Sequence, residues 1–388
     1  MTASYQAIKE FFIARFENEP MLVRSPGRIN LIGEHTDYND GFVMPAAIDK
    51  EIIFAIAPSG KSVSTIHSLD FKESIELDLK DPKPVASPSW ANYLLGIVRQ
   101  FVDRRFVVAP FNCVFGGNIP VGSGLSSSAA LECGFAFCLQ QLNAHQIPKP
   151  ELARMGQWSE HNFVGVRCGI MDQFANMMGK ENHVIQLDCR SMMHTYLPIN
   201  LTQHAIVLFN SGVKHSLASS EYNVRRGECE EGIRVLGKTY SRLKSLRDAS
   251  MADLESVRTQ ISDHVFKRCK YIIEEIERVA LGGADLQRGD LASFGRRMFE
   301  THEGLSKLYQ VSCEELDFLV AQVHGKPEVL GARMMGGGFG GCTINLIQQA
   351  HVKDVIDSVT SNYERQFGIS AEVYTVRITG GTSKISGT

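Results

Sequence analysis

Pro120-Val121-Gly122-Ser123-Gly124-Leu125-Ser126-Ser127-Ser128-Ala129-Ala130-Leu131-Glu132 is the stretch on which the reading of this chain turns. It follows an apolar run, Phe111 to Phe115, that reads as a strand, and it opens a helical pattern from about Ser126 to Leu142. Gly122 and Gly124 allow a tight turn and a close approach of backbone to a ligand. The three serines stand where a helix presents unsatisfied N–H groups and the positive end of its dipole, a seat for anions. Ser126 or Ser127 is expected to cap the helix, and a serine hydroxyl suits Mg2+ carried on a nucleotide. Two common phosphate loops do not fit, because the lysine of one is absent and Ser127 stands where the other needs glycine. The plain alternative is a strand-to-helix turn with serine caps.

Upstream lies a second dense segment, Pro26-Gly27-Arg28-Ile29-Asn30-Leu31-Ile32-Gly33-Glu34-His35-Thr36-Asp37-Tyr38-Asn39-Asp40-Gly41. Dense charge in a loop is usually a solvated surface. Here Ile29, Leu31 and Ile32 anchor the loop in a core, so its carboxylates and imidazole can line a site for a polyol. Buried hydroxyls demand such partners, since each one left unpaired costs about 1–3 kcal/mol. His35 alone decides nothing, and no second histidine or cysteine stands at metal-ligand spacing.

Around these two segments the pattern mixes strands and helices. Residues 3–17 carry Tyr5, Ile8, Phe12 and Phe16 at helical spacing. Met21 to Arg24 reads as a short strand closed by Ser25-Pro26-Gly27. Glu51 to Ala57 is a buried strand, and 61–67 with 74–79 form a hairpin on the same sheet. Ser89-Trp90 opens a helix with Leu94, Ile97, Val98 and Phe101 on one face, and another runs from Pro150 to about Phe163. Strands follow at 184–187 and 204–209. Helical patterns then dominate at 217–236, 263–281, 285–306 and 313–325. A glycine run, Gly336 to Gly341, precedes a strand at 342–346, a helix at 351–366 and a strand at 371–377. The tail from Thr379 to Thr388 reads as mobile. The fold class is α+β with an α/β-type N-terminal lobe. Two lobes, 1–200 and 201–388, are expected to meet at the Leu197-Pro198 turn with a ligand cleft between them.

Bulk properties exclude several functions. Of 388 residues, 40 are basic and 43 acidic, so no global field favours nucleic acid or a membrane surface. Nine cysteines without a C-x-x-C pair argue for reduced thiols in a cytoplasm and against a disulfide framework. The N-terminal helix lacks the apolar core of a secretory signal, and no stretch is long enough to span a bilayer.

Taken together, the motifs resemble a known family. Gly27 to Asn39 looks like the galactokinase signature, and Gly122 to Ala130 resembles the phosphate-binding motif of the wider GHMP small-molecule kinases. Gly336-Gly337-Gly338-Phe339-Gly340-Gly341 is similar to that family's C-terminal glycine motif, and Cys168-Gly169-Ile170-Met171-Asp172-Gln173-Phe174 matches a further galactokinase block. The resemblance implies a two-lobed kinase with its active site in the interlobe cleft, ATP and Mg2+ as cofactors, and galactose as acceptor. It places Asp172 as the catalytic aspartate and Arg28 beside it. Glu34, His35, Thr36, Asp37, Gly169 and Tyr222 stand at galactose-contacting positions. Gly122, Ser123, Gly124, Leu125, Ser126, Ser127 and Ser128 would hold the nucleotide phosphates, and Trp90 and Tyr93 the adenine. Ser128 and Glu160 would hold the metal. The expected form is a cytoplasmic monomer. Two rivals are a kinase for N-acetylgalactosamine and a non-catalytic galactose sensor. The intact Ser127-Ser128-Ala129-Ala130 run speaks against the sensor.

Overall fold

The structure is a computed structural model that describes residues 5–120, 122–213 and 218–385. Val121 of the glycine-serine turn therefore lies outside the described residues, as do the first residues of the N-terminal and 217–236 helical patterns and the last three of the tail.

The chain begins with α1 (Tyr5–Phe16), β1 (Met21–Asn30), β2 (Phe42–Val43), β3 (Pro45–Pro58), β4 (Ser64–Ser68) and β5 (Glu73–Leu77). There follow α2 (Ala91–Asp103), β6 (Phe111–Gly117), α3 (Ser127–Leu142), α4 (Lys149–Ser159), a π-helical turn Glu160–Val164 and α5 (Met171–Met178). Next come β7 (His183–Asp188), β8 (His194–Pro198), β9 (His204–Asn210), α6 (Ala218–Thr239), α7 (Met251–Ser256), α8 (Asp263–Gln287) and α9 (Leu291–Glu303). The chain closes with α10 (Glu314–Ala321), β10 (Val329–Met334), β11 (Cys342–Gln348), α11 (Val352–Phe367), β12 (Glu372–Val376) and β13 (Ser383–Lys384).

A six-stranded sheet has the order β13-β1-β3-β6-β4-β5, and a four-stranded sheet has the order β10-β11-β9-β12. Strands β2, β7 and β8 make a small third sheet. The unbroken apolar run of β3 is explained by cover on both faces. Ile52, Phe54 and Ile56 face a core shared with α2 and α3, whereas Ile53, Ala55 and Ala57 meet Ile8 and Phe12 of α1. The four-stranded sheet is sandwiched likewise. Val207 and Phe209 pack with Val355 and Tyr363 of α11, while Ile206 and Leu208 join Ile29, Leu31, Ile32 and Leu125 in one cluster. That cluster ties the polar loop after β1 and the glycine-serine turn to the second sheet.

Several expectations are corrected. Ser25-Pro26-Gly27 does not close β1, which runs on to Asn30 past a register shift between Pro26 and Arg28. Leu197-Pro198 is the end of β8, paired with Val184 and His183, and not a turn. The long pattern at 285–306 breaks at Gly289, whose φ is +72°, and restarts with Asp290 capping α9. The tail is pinned: Ser383 and Lys384 pair with β1, and the buried Thr382 donates from Oγ1 to Asn176 at 2.6 Å. Strands β8 and β10 and helix α5 had no expectation from sequence.

Candidate active site

β1 sends Arg28 toward the start of α5, which carries Asp172. The guanidinium and carboxylate pair in a fork, Nε to Oδ1 at 2.7 Å and Nη2 to Oδ2 at 2.9 Å. Such bidentate pairing fixes orientation as well as charge. Burial opposes the charge on Arg28, but Asp172, Glu34 and Asp37 outweigh it and hold the group protonated. Gly27 packs closely on the glycine-serine turn, because a Cβ there would lie 2.6 Å from the Leu125 carbonyl oxygen. The neighbouring Arg28 N–H donates to that same oxygen at 3.1 Å.

The loop after β1 supplies the other walls of a small cavity of about 170 Å³, lined by Arg28, Glu34, His35, Asp37, Asp172 and Tyr222 among others. Gly169, Gly336 and Gly337 complete it with backbone. Glu34 accepts from the Gly336 N–H at 2.8 Å and from Arg333 at 3.1 Å. His35 shares a 2.6 Å hydrogen bond with the Tyr38 hydroxyl through Nδ1. Its Nε2, beside the backbone of Gly337, has no well-formed partner among the described residues. Burial, with Arg225 and Arg333 nearby, lowers the His35 pKa to about 3, so the imidazole is neutral. Asp37 lies against Gly169, where a Cβ would meet its Oδ2 at 1.7 Å. Burial, and then the charge of Asp172, raises the Asp37 pKa to about 7. The Tyr222 ring sits 5.3 Å from that of His35.

A larger cavity of about 650 Å³ opens beside the start of α3. Its walls include Trp90, Tyr93, Phe115 and Leu131, and its polar end carries Ser127 and Ser128 at the start of α3. Ser128 meets Glu160, which lines the small cavity, so a hydroxyl and a carboxylate stand where the two spaces adjoin. Burial, and then Asp172, pushes Glu160 up to about 7 against the pull of hydrogen bonds from Cys168, Ser128 and Gln173. Hard oxygen donors of this kind suit Mg2+, which takes few protein ligands and fills its shell with phosphate oxygens and water. No group of three or more His, Cys, Asp or Glu able to hold a metal occurs among the described residues.

Not every residue singled out reaches a cavity. Thr36 is fully buried and spends its hydroxyl on the carbonyls of Gly33 and Phe42, closing the loop. Ser123 donates to the Pro120 carbonyl at 2.7 Å, and Leu125 is part of the core. Gly122 and Gly124 adopt positive φ. Ser126 does not cap α3 as expected; its hydroxyl donates to Asp172 Oδ2.

Other residues bear on the site without having been singled out. Gln173 bridges Glu160 at 2.9 Å and the buried Glu132 at 3.3 Å. Arg333, fully buried, donates to Leu31, Asn30 and Met334 carbonyls as well as to Glu34. Glu275 accepts from the Gly33 N–H at 2.7 Å. The signal for Arg333 was a charged residue in an otherwise apolar segment just before the glycine run.

Comparison with known proteins shows the family and the fold. A galactokinase galactose-binding signature matches residues 10–58, the GHMP kinase N-terminal domain residues 92–180 and the GHMP kinase C-terminal domain residues 284–365. The chain is 40% identical over 365 residues to a galactokinase of Thermotoga petrophila, covering 94% of this chain and 100% of that one. It is 40% identical over 360 residues to the galactokinase of Homo sapiens, covering 91% and 90%. Among solved structures, a Lactococcus lactis galactokinase complexed with galactose superposes with a TM-score of 0.94 at 33% identity, covering 98% of this chain and 99% of that one. A mevalonate kinase at 17% identity and a TM-score of 0.64, covering 93% and 99%, shares the fold.

Proposed function

Because this chain belongs to the galactokinase family of GHMP kinases, we infer that it transfers the γ-phosphate of ATP to the anomeric hydroxyl of galactose, giving galactose 1-phosphate and ADP. The observation that carries the reading is the Arg28–Asp172 fork, set in a small polar cavity that adjoins the serine-rich start of α3.

The sugar occupies the small cavity, with Glu34, neutral His35, Asp37, the Gly169 backbone and Tyr222 as its polar and stacking surround. A neutral imidazole can donate to one hydroxyl or accept from another without adding charge to a pocket crowded with carboxylates. Asp172 receives the proton of the anomeric hydroxyl as its oxygen bonds to the γ-phosphorus and the bond to ADP breaks. Arg28 fixes that carboxylate and offers positive charge to the transferring group, the electrostatic contribution on which phosphoryl transfer depends. The nucleotide base lies against Trp90 and Tyr93, and the phosphates approach the α3 N-terminus. Ser128 and Glu160 are the residues that would hold Mg2+, whose chemistry there is to neutralise triphosphate charge.

The two lobes are read as 1–200 and 201–388, supported by the division of strands between the sheets, with β13 returned to the first. Nine free thiols favour a reducing cytoplasm. Among the described residues, no helix is long and apolar enough to cross a membrane.

The test is ADP release measured with galactose, N-acetylgalactosamine and other monosaccharides. Galactose is expected to give the highest kcat/KM. Preference for the N-acetylated sugar, or no sugar-dependent ADP, would replace this reading by one of its rivals. In the same assay Asp172→Asn is expected to lose activity by about 100-fold or more, the range of a general base.

A further inference from the structure

Ser126 occupies the position that caps α3, yet its backbone is at φ 60° and ψ 52°. A capping serine sits in the extended region and accepts an N–H from the first turn. Ser126 does neither, and among the described residues its side chain makes no capping hydrogen bond. The left-handed region costs a side chain with a Cβ about 1–2 kcal/mol that glycine avoids. The hydroxyl is therefore held in an unfavourable backbone setting, and its proton goes to Asp172 Oδ2.

The rest of the turn acts on the same pair of residues. The Gly124 carbonyl accepts from Arg28 Nη1 at 2.5 Å, and the Leu125 carbonyl accepts from the Arg28 N–H at 3.1 Å. Three consecutive residues, Gly124, Leu125 and Ser126, thus grip both members of the acid–guanidinium fork. Asp172 Oδ2 takes two donors, Arg28 Nη2 and Ser126 Oγ, whereas Oδ1 takes Arg28 Nε.

We propose that Ser126 is a positioning residue for the reaction, acting through Asp172, and not a phosphate ligand. By filling Oδ2 it leaves Oδ1 as the oxygen that meets the sugar hydroxyl. It also fixes the acid to the same turn that leads into Ser127 and Ser128, so the proton acceptor and the phosphate-binding helix end share one frame. The proposal rests on the reading of Asp172 given above.

The test compares Ser126→Gly with Ser126→Ala. Gly removes the hydroxyl and relieves the backbone, while Ala removes the hydroxyl and keeps the backbone cost. If Ser126 positions Asp172, both lower kcat by roughly ten- to a hundredfold, the loss of a hydrogen bond to a charged group. The two variants then agree in kcat although their melting temperatures differ, and KM for ATP and for galactose stays within about twofold, because the lost contact matters at the transition state. A loss that falls on KM for ATP would overturn the proposal in favour of a phosphate contact. Wild-type kcat in the Gly variant with a loss in the Ala variant would overturn it in favour of a purely conformational role. Near-wild-type turnover by Asp172→Asn would instead remove the reading of the acid itself, and it is measured independently.

Discussion

Asp37 is a carboxyl group kept where its charge is disfavoured, pressed on Gly169 and near Asp172, with a pKa raised to about 7. Between the ordinary carboxylate range and that value the folded chain binds more protons than the unfolded one. Its contribution to stability therefore falls as pH rises through that window and is level above it. Asp37→Asn is expected to melt near the wild-type temperature at about pH 4, and above it by a margin that grows up to about pH 7. Above about pH 7, where Asp37 is ionised, the same variant should bind galactose about tenfold or more weakly, as isothermal titration would show, because a charged acceptor is lost. Gly169→Ala is expected to fold but to lose galactose affinity, since its Cβ would fall on the Asp37 carboxylate; unchanged affinity would contradict the placement of both residues. Sequence made Glu34, His35 and Asp37 legible because polar residues were interleaved with Ile29, Leu31 and Ile32. It did not show that Thr36 turns inward, because that depends on the carbonyl of Phe42 returning to meet it.

At the scale of elements, a helix crossing brings Glu160 into place. Helix α2 crosses the end of α4 so closely that a Cβ on Gly96 would lie 2.0 Å from Ser159 Oγ, and that hydroxyl bonds the Tyr93 carbonyl at 2.7 Å. Glu160 is the next residue, at the head of the π-helical turn. Gly96→Ala is expected to cost about 1–3 kcal/mol of stability in urea denaturation. It should also raise the Mg2+ concentration needed for half-maximal rate by displacing Glu160; an unchanged requirement would separate the crossing from the site. The long helices α2 and α8 were legible from a sustained period and a covered face, and α3 and the strands β3, β6 and β9 from apolar runs long enough to mark a buried element. Helix α5 was not, because eight residues give two turns of pattern and its Met171, Phe174 and Ala175 are buried with polar Gln173 and Asn176 among them. Strand β10 was hidden by Gly331 and Arg333, which break the apolar run that a buried strand should show.

Across the whole molecule, Arg333 links the second sheet to the loop that lines the small cavity. It is fully buried on β10 and holds the Asn30 and Leu31 carbonyls and Glu34. Replacing it with Met would strand Glu34 and these carbonyls in the interior. The expected loss is about 3–5 kcal/mol, as for one partner of a buried pair, with galactose affinity falling more than ATP affinity in ligand-dependent melts. The two-lobed plan was legible from the order of the motifs. The return of β13 to β1 was not, since two paired residues in a glycine- and serine-rich tail leave no periodic trace. That return has a consequence for biosynthesis. Ser383 is translated long after Met21, so a nascent chain emerging from the ribosome carries this part of the outer backbone of β1 bare until β13 has been made. Bare strand edges template association with other chains, so β13 acts as a late seal on β1.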